Sequence, residues 1–293
     1  KVVLLTAHQS HKNLLRQAKK FNVKNLIITN YDSYKSAKKF NKNKKIKIYN
    51  NFKYLNKIFP KKIDYTMSSI TGLAGLDPTI KMIKHTKKIA IANKESIICG
   101  WNLIKKELKK NRTSFIPVDS EHFSIWYGLN NLNYKTIDKI YLTASGGPLY
   151  GFNTNMFHKV TIKQALKHPN WKMGKKISID SATLINKVYE VIEAKNIFNI
   201  SYKNIDILIH PKSYIHALLK FNSGIIKIIA HDTTMKVPIF NTIFNDTNKK
   251  FTTNDLNIKV LNNLNFKKVD LKKYPMVKLL KDLPNNNSLY EQS

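Results

Sequence analysis

The sequence predicts a doubly wound parallel α/β domain, followed by a second domain of the α+β class. Up to about Asp119, short apolar segments alternate with longer segments of helical spacing, which is the pattern of a parallel sheet covered by helices. Beyond about Thr143, a strand runs into a glycine-rich turn, and two further apolar segments are joined by the short turn "NSG". Such a pair is typical of antiparallel strands.

The N-terminal half supplies most of its strands and helices in alternation. The predicted strands are Val2–Thr6, "NLIIT", "KIKIY", "IDYTMSSI", "IAIAN" and "SFIPV". The predicted helices are "NLLRQAKKF", "YDSYKSAKKF", "PTIKMIKHTKK" and "ESIICGWNLIKKELKK". Ligands of such sheets bind at the carboxyl ends of strands, where this sequence has the turns "SSITGLAG", "ANKES" and "PVDSEH".

The second half is less regular. The strand that ends in "IYLTASGGP" is followed by "ALKHPNWKMGKK", a polar loop broken by Pro and Gly. "SIDSATLINKVYEVIEAKNIF" has helical spacing and predicts one helix, "IDILIHP" predicts a strand, and "YIHALLKF" and "IIKIIAH" predict the antiparallel pair. From about Asn245 the chain is rich in Asn and Lys and has no strong pattern.

The composition suits a water-soluble globular protein of one or two domains, with 293 residues of which 42% are hydrophobic. No apolar run approaches the roughly 20 residues of a membrane span. The single cysteine, Cys99, excludes an internal disulfide and a thiolate zinc cluster, and it fits a reducing compartment. The chain opens with a strand at Lys1 and stops in "LPNNNSLYEQS", so we expect a piece of a longer protein.

The formal net charge of +33 raises the hypothesis of a nucleic-acid-binding protein. Nearly all the basic residues are Lys, however, and they are scattered among many Asn and Ile. These three residues have A/T-rich codons, and no element concentrates the Arg that base recognition favours. We therefore expect no nucleic-acid partner and no membrane partner, but an electrostatic attraction for an anionic substrate.

The stretch "IPVDSEH" places two carboxylates, Asp119 and Glu121, at the end of a predicted strand. If the backbone stays extended, both side chains point to one side, where they suit a hard divalent cation such as Mg²⁺ or Mn²⁺. An acid/base pair is equally compatible. The alternative is a helix N-cap, with Asp119 or Ser120 capping "EHFSIWYGL".

The stretch "DSATLINKVYEVIEA" offers a second set of polar groups. Asp180 or Ser181 is a good N-cap, which would leave first-turn amides free to bind an anion such as phosphate. Asn186, Lys187 and Glu190 share one flank of the predicted helix. The alternative is an ordinary solvated flank with a Lys–Glu pair.

Two loops are further candidates for ligand contact. Ser145 precedes two glycines at a strand end, which allows a close backbone approach to a ligand such as phosphate, although a plain tight turn has the same pattern. In "KHPNWKMG", the residues His168, Trp171 and Met173 lie in a segment too broken to be core. An exposed Trp and Met there indicate a lid, or a Trp that only anchors the loop.

The turn "ANKES" and the remaining histidines are the weakest signals. Lys94 stands at a strand's carboxyl end, where it could bind an anion or a hydroxyl, while Glu95 suits the first helical turn on dipole grounds alone. The histidines His122, His210 and His216 are interpreted as structural or core residues.

The order of these motifs is far more specific than any one of them. "ANKES", "PVDSEH", "SGGP", "HPNWKMG", "DSATLINKxxE" and "HPKSYIH", in this sequence, closely resemble the 1-deoxy-D-xylulose 5-phosphate reductoisomerases of the non-mevalonate isoprenoid pathway. The resemblance extends from Val2 to Leu280 and is densest from Ala92 to Met235. It implies a truncated Rossmann-like NADPH-binding domain over 1–119 and an α+β catalytic domain over 120–245. Residues 246–293 would then be a linker towards a missing C-terminal helical domain.

The resemblance also implies the reaction. An enzyme of this family uses NADPH and a divalent ion (Mg²⁺ or Mn²⁺, with Co²⁺ also accepted) to rearrange and reduce 1-deoxy-D-xylulose 5-phosphate to 2-C-methyl-D-erythritol 4-phosphate. Family accounts give a retro-aldol/aldol rearrangement. The full-length parent is expected to be a homodimer in the bacterial cytoplasm, with a plastid-type organelle left open. The alternatives are an inactive fragment or paralogue that binds a phosphosugar without turnover and, more remotely, a basic nucleic-acid-binding protein.

The family's site residues carry over by motif position. The metal ligands would be Asp119, Glu121 and Glu190, and with Lys94 they form the catalytic set. The substrate-binding residues would be Lys94, Ser120, Glu121, Ser145, His168, Ser181, Asn186, Lys187 and Glu190. Trp171 and Met173 would close the lid, and the residues against NADPH would be Asn93, Glu95 and Gly174.

The sequence departs from the family pattern at several places. The G-x-T-G-S-I-G loop that precedes the second strand of the family is not present, and "AHQSH" stands where the family has an A-G-x-N turn. The loop between Trp126 and Ile140 is short. The single-residue differences are Ala144 and Val188 in place of Gly, and Thr234 in place of Asp.

Overall fold

The N-terminal half of the computed structural model contains two parallel sheets of three strands each, in the orders β1-β2-β3 and β4-β5-β6. The structure describes residues 1–41, 45–129, 132–171, 173–253 and 255–283. The strands are β1 (Leu4–Ala7), β2 (Asn25–Ile28), β3 (Lys47–Tyr49), β4 (Ile63–Ser68), β5 (Thr86–Ile91) and β6 (Ser114–Pro117). The strand–helix alternation of the sequence therefore gives the parallel α/β fold that it predicts.

Helices follow most of these strands and cover the apolar sheet faces. They are α1 (His11–Lys20), α2 (Tyr31–Phe40), α3 (Leu55–Ile58), α4 (Leu76–Ile83), α5 (Lys94–Asn111) and α6 (Ser120–Leu129). The helix predicted for "PTIKMIKHTKK" is too long, because α4 ends at Ile83 and β5 begins at Thr86. Thr86 is fully buried and its side chain hydrogen-bonds to main-chain carbonyls of β4 and β5, which holds this segment in the sheet.

The second half is built on a mixed five-stranded sheet of order β10-β9-β7-β8-β11. Its strands are β7 (Ile137–Ala144), β8 (Ile205–Ile209), β9 (Ile215–Phe221), β10 (Ile226–Ala230) and β11 (Lys267–Lys268). β7 and β8 are parallel, and the other neighbours are antiparallel. β9 and β10 form the predicted hairpin around the "NSG" turn.

The helices of the second half are α7 (Ile162–Ala165), α8 (Lys175–Ala182), α9 (Ile185–Phe198), α10 (Lys236–Phe244), α11 (Ile258–Asn262) and α12 (Leu279–Asp282). The single helix predicted for "SIDSATLINKVYEVIEAKNIF" is wrong, since the chain breaks between α8 and α9. Leu184, which is the N-cap of α9, has φ 59° and ψ 13° in the left-handed region. It is only 2% exposed, so burial of its side chain holds a backbone conformation that leucine rarely adopts.

Residues beyond Asn245 join this second half, although their sequence pattern is weak. β11 pairs with β8, and the side chains of Tyr274 and Val277 are buried in the same apolar core as β7, β8 and α9. Of the segment 246–293, residues 254 and 284–293 lie outside the described residues. Within the described ranges, no helix is both long enough and apolar enough to cross a membrane.

Candidate active site

A cavity of about 340 Å³ opens where the two halves of the chain meet. Its walls come from the turn after β5, the start of α6, the turn after β7, the loop before α8, and the side of α9. Every predicted metal, catalytic and substrate residue lines it: Lys94, Asp119, Ser120, Glu121, Ser145, His168, Ser181, Asn186, Lys187 and Glu190. The fold thus gathers residues that are up to about a hundred positions apart in the sequence.

Three carboxylates converge on one side of the cavity. Asp119 ends the segment after β6 and accepts the first helical hydrogen bond of α6 with its main-chain oxygen, while Glu121 lies in the first turn of that helix. Glu190 comes from the middle of α9. One oxygen of each carboxylate lies within 4.8 Å of the other two. The backbone after Asp119 is not extended, because α6 starts at Ser120, and the acids converge at a helix start.

Two buried ammonium groups lie among these acids. The Lys187 Nζ donates to Glu121 Oε1 at 2.6 Å and also to the Glu190 carboxylate. The Lys94 Nζ donates to Asn186 Oδ1 at 2.6 Å and lies 3.5 Å from an Asp119 oxygen. Asn186 in turn donates its amide to Glu190. The predicted "solvated flank" of α9 is therefore excluded, since Lys187 and Glu190 are 5% and 2% exposed.

The pKa values of Glu121 and Glu190 are shifted by burial and by the charges around them. Burial raises the pKa of Glu190 to about 8, and the Glu121 charge adds to the effect. For Glu121, burial acts in the same direction, but the charge and hydrogen bond of Lys187 outweigh it and lower the pKa to about 2. For Lys187, burial would lower the pKa, but the carboxylates of Glu121 and Glu190 raise it above its usual value. Ionisation of Glu190 is therefore opposed by burial and by repulsion from the Glu121 carboxylate.

A fourth carboxyl, Glu193, was not identified from the sequence. It is 1% exposed and lies one helical turn beyond Glu190, and burial raises its pKa to about 8. Its Oε2 lies 4.0 Å from Nδ1 of the fully buried His122, and neither atom has a hydrogen-bond partner among the described residues. The His122 Nε2 bonds to the Glu190 main-chain oxygen at 2.8 Å. The available signal was the position of Glu193 between the apolar residues Ile192 and Ala194.

Asp119, His122 and Glu193 form a second group whose ligand atoms could surround an ion. His122 and Glu193 do not line the cavity, whereas Asp119, Glu121 and Glu190 all do. A metal that must also contact substrate therefore fits the three carboxylates. These are oxygen ligands of the kind that Mg²⁺ and Mn²⁺ prefer.

The glycine-rich turn after β7 directly follows Ser145, which lines the same cavity. Gly146 and Gly147 have φ of 87° and 70°, which only glycine adopts without strain. A Cβ on Gly147 would lie 2.2 Å from the main-chain oxygen of Ser181, so the turn packs directly on the end of α8. Ser181 lies in the last turn of α8 rather than at a helix start. The predicted anion site on first-turn amides at Asp180 or Ser181 is therefore wrong.

Hydrogen bonds define the tautomer of His168 and the direction of the Ser145 hydroxyl. The main-chain amides of Asn170 and Trp171 both point at His168 Nδ1, at 3.2 and 3.0 Å, so that nitrogen is the acceptor. The proton of the neutral ring is then on Nε2, which lies 3.0 Å from Ser145 Oγ. Ser145 Oγ also accepts from the Gly147 amide at 3.0 Å. With both acceptor positions used, the Ser145 proton is free for a ligand oxygen.

The loop before α8 forms part of the cavity wall. Trp171 and Met173 line the cavity, and the Trp171 ring meets the His216 ring edge-on with 6.1 Å between centroids. Asn170 anchors the loop through hydrogen bonds to Pro211 O at 2.6 Å and Ser213 Oγ at 2.8 Å. The interpretation of His216 as an ordinary core residue is incomplete, since it is 2% exposed but also lines the cavity.

The three residues predicted to face NADPH do not line this cavity. Asn93 is the N-cap of α5, where its Oδ1 accepts from the Ser96 amide and its Nδ2 donates to the main-chain oxygens of Ile70 and Gly72. Glu95 lies 3.9 Å from Lys176 of α8. Gly174 is the N-cap of α8 and has open space where a Cβ would be. Asn93 therefore supports the turn, while Glu95 and Gly174 flank the gap between α5 and α8.

Comparisons with known proteins agree with this geometry. The family model for 1-deoxy-D-xylulose 5-phosphate reductoisomerase matches residues 1–100, and the model for the C-terminal domain of that enzyme matches residues 115–198. The 1-deoxy-D-xylulose 5-phosphate reductoisomerase of Pelagibacter ubique is 57% identical over 293 residues, which are 99% of this chain and 76% of that protein.

Solved structures show the same similarity. The Zymomonas mobilis reductoisomerase in complex with NADPH has 31% identity and a TM-score of 0.87, covering 96% of this chain and 73% of that one. A reductoisomerase in complex with NADPH, fosmidomycin and magnesium has 30% identity and a TM-score of 0.86, covering 96% of this chain and 72% of that one. The resemblance inferred from the ordered motifs is confirmed, and this chain belongs to the 1-deoxy-D-xylulose 5-phosphate reductoisomerase family.

Proposed function

We propose that the chain carries out the NADPH- and divalent-metal-dependent rearrangement and reduction of 1-deoxy-D-xylulose 5-phosphate to 2-C-methyl-D-erythritol 4-phosphate. The observation that carries the proposal is one cavity lined both by the acidic cluster and by the Ser145–His168 pair. The names of the relatives support this activity over a phosphosugar binder without turnover or a nucleic-acid-binding protein.

The acidic end fits a divalent ion held by Asp119, Glu121 and Glu190. Four carboxyl groups, including Glu193, lie around only two ammonium groups, Lys94 and Lys187, so the fully ionised cluster lacks two positive charges. One Mg²⁺ or Mn²⁺ matches this deficit, and Co²⁺ accepts the same ligands. When bound, the ion would act as a Lewis acid on the substrate carbonyl and as a template for its hydroxyls.

The chain's own residues orient the sugar phosphate. We assign its phosphate end to Ser145 and His168, with Ser181 beside them, because the Ser145 proton is free and His168 is held in one tautomer. We assign Lys94, Ser120, Asn186 and Lys187 to the hydroxyls next to the metal, where their donor groups already contact the three carboxylates. Trp171 and Met173 would exclude water from the bound sugar.

We propose that residues 1–119 bind NADPH, which supplies the hydride, and that residues 120–245 bind metal and substrate. The α/β fold and the NADPH-bound relatives support this division. Glu95 and Gly174 would flank the nicotinamide end of the cofactor. Asn93 would act indirectly, because its amide hydrogen-bonds to the Gly72 main-chain oxygen and its side chain caps α5. The "AHQSH" turn lies at the carboxyl end of β1, where His8 hydrogen-bonds to Thr29 at 2.8 Å.

The experiment is metal-dependent NADPH oxidation in the presence of 1-deoxy-D-xylulose 5-phosphate, followed at 1:1 stoichiometry with the product. Asp119→Asn and Glu190→Gln keep side-chain size but remove a ligand charge, so each is expected to lower kcat/KM by at least about 100-fold. Asp64→Asn is the control, because its side chain is 91% exposed and does not line the cavity. Undiminished activity of both ligand variants would refute the metal assignment.

We also propose a homodimer in the bacterial cytoplasm. The relatives named above are bacterial, which supports the location. The outermost strand of the mixed sheet, β10, exposes Ile226 and Ile228, which are 54% and 52% accessible. An unpaired apolar strand edge is a natural surface for pairing with a second copy.

A further inference from the structure

We propose that Tyr274 is a positioning residue for phosphate recognition, because it holds the peptide group that aims the Ser145 hydroxyl into the cavity. This inference rests on the proposed assignment of the phosphate end to Ser145 and His168. The segment beyond Asn245 has a weak sequence pattern and does not line the cavity. The role of Tyr274 would give this segment a function.

Two side chains of the segment around Tyr274 donate hydrogen bonds to main-chain oxygens of the glycine-rich turn and of the loop after it. Tyr274 is 2% exposed, and its hydroxyl donates to the main-chain oxygen of Gly146 at 2.8 Å. The Nζ of the neighbouring Lys273 donates to the main-chain oxygens of Tyr150 and Phe152, at 2.5 and 2.7 Å. Two consecutive side chains therefore anchor three carbonyls of the turn and the loop after it.

The contact to Gly146 reaches Ser145 through a single peptide group. In a trans peptide the carbonyl oxygen and the amide hydrogen point in opposite directions. The Gly146 oxygen points to Tyr274, so the Gly147 amide of the same peptide points the other way and donates to Ser145 Oγ. His168 Nε2 completes the set of donors to that oxygen. The Ser145 proton is thereby left to face a phosphate oxygen.

This peptide group needs an anchor because it joins two glycines. Glycine adopts many backbone conformations at little cost, so a Gly–Gly peptide can rotate and present its oxygen, rather than its amide, to Ser145. The buried hydroxyl of Tyr274 prevents that rotation by binding the oxygen. Burial raises the pKa of Tyr274 to about 12, so the hydroxyl stays a proton donor across the physiological pH range.

The test compares Tyr274→Phe with Tyr202→Phe. Both tyrosines are buried in the same apolar core, but the Tyr202 hydroxyl has no hydrogen-bond partner among the described residues. Calorimetry in the presence of Mn²⁺ and without NADPH measures the dissociation constant of 1-deoxy-D-xylulose 5-phosphate and that of inorganic phosphate. We expect Tyr274→Phe to raise both constants roughly three- to tenfold. The Mn²⁺ constant should not change, and Tyr202→Phe should leave all three constants unchanged.

The readout is independent of turnover, so the proposed activity is judged separately by NADPH oxidation. The inference is overturned if Tyr274→Phe binds both phosphates as the unmodified chain does, or if Mn²⁺ binding weakens to the same extent. It is also overturned if the unmodified chain binds neither phosphate. Should Tyr274→Phe fail to fold, Lys273→Met, at a half-buried position, removes the adjacent hydrogen bonds to the Tyr150 and Phe152 oxygens and is expected to raise both phosphate constants.

Discussion

The buried carboxyls of Glu190 and Glu193 couple the stability of the protein to pH and to the metal. In the metal-free protein both pKa values are raised to about 8 from an ordinary value of 4.5, by burial first and by neighbouring carboxylates next. The folded state then holds protons that the unfolded chain releases between these values. We expect a divalent ion at the proposed site to replace those protons as the source of positive charge in the cluster.

We expect the melting temperature of the metal-free protein to fall as pH rises from about 5 to 8, by roughly 5 °C or more. An acid whose folded pKa is raised stabilises the protein below its unfolded pKa, and this stabilisation is lost as pH rises through the folded value. Saturating Mn²⁺ should abolish most of the fall, since ligand binding stabilises the folded state. Calorimetric scans with EDTA or with Mn²⁺ measure both effects.

Glu193→Gln isolates the carboxyl that is not a proposed metal ligand. It should flatten the pH dependence in EDTA, while Glu107→Gln, near the end of α5 and outside the cavity lining, should not. A Glu193→Gln protein with the full slope of the unmodified chain would contradict this prediction.

Short local motifs in the sequence indicated residues that the structure brings into one cavity. Asp119 and Glu121, one residue apart at a strand end, indicated a carboxylate pair, but they converge at the start of α6 and not on the extended backbone that the spacing argument assumed. Glu193 was missed because a Glu on a helix is usually solvated, and only the surrounding fold buries it to 1% exposure. The tautomer of His168 was equally unpredictable from the sequence, because two main-chain amides of its own loop determine it.

The contact between the glycine-rich turn and the end of α8 holds together two elements that line the cavity. Gly147 packs against the Ser181 oxygen with no space for a Cβ, and its φ of 70° disfavours any side chain. Alanine there must displace either the turn or α8, and each carries residues of the cavity.

Gly147→Ala is therefore expected to lower the free energy of unfolding by about 2–4 kcal/mol and to raise the KM for the sugar phosphate. Gly151→Ala is a matched control four residues later, because nothing lies within 4 Å of its added Cβ and its φ is not positive. Urea denaturation and steady-state kinetics give the two quantities. Equal effects of the two alanines would show that the close approach of Gly147 to Ser181 is unimportant.

The break between α8 and α9 shows why element boundaries were harder to predict than the elements. "SIDSATLINKVYEVIEA" contains no Gly or Pro, so nothing local ends the first helix. The break depends on Leu184, whose buried side chain compensates for its left-handed backbone. Tertiary packing decides such a position, and a single sequence does not record it.

At the scale of the whole chain, the sequence predicted the strands of the N-terminal half more completely than those of the second half. Alternating strands and helices identify a parallel sheet because their periodicities differ, and all six N-terminal strands follow that pattern. The two-residue strand β11 and the buried Tyr274 have no periodicity to detect. Their place depends on β8 and on the glycine-rich turn, which are more than fifty residues earlier.

The open edge at β10 is the surface through which we expect two copies to associate. Ile226 and Ile228 project from a strand that, within the described ranges, pairs on one side only, with β9. Antiparallel pairing of β10 with its own copy satisfies the two-fold symmetry of a dimer. Ile228→Lys puts a charge on this edge, so it should shift the sedimentation coefficient from dimer to monomer. Ile258→Lys, on α11 at 63% exposure, is the control and should remain dimeric. An Ile228→Lys protein that still sediments as a dimer would place the interface elsewhere.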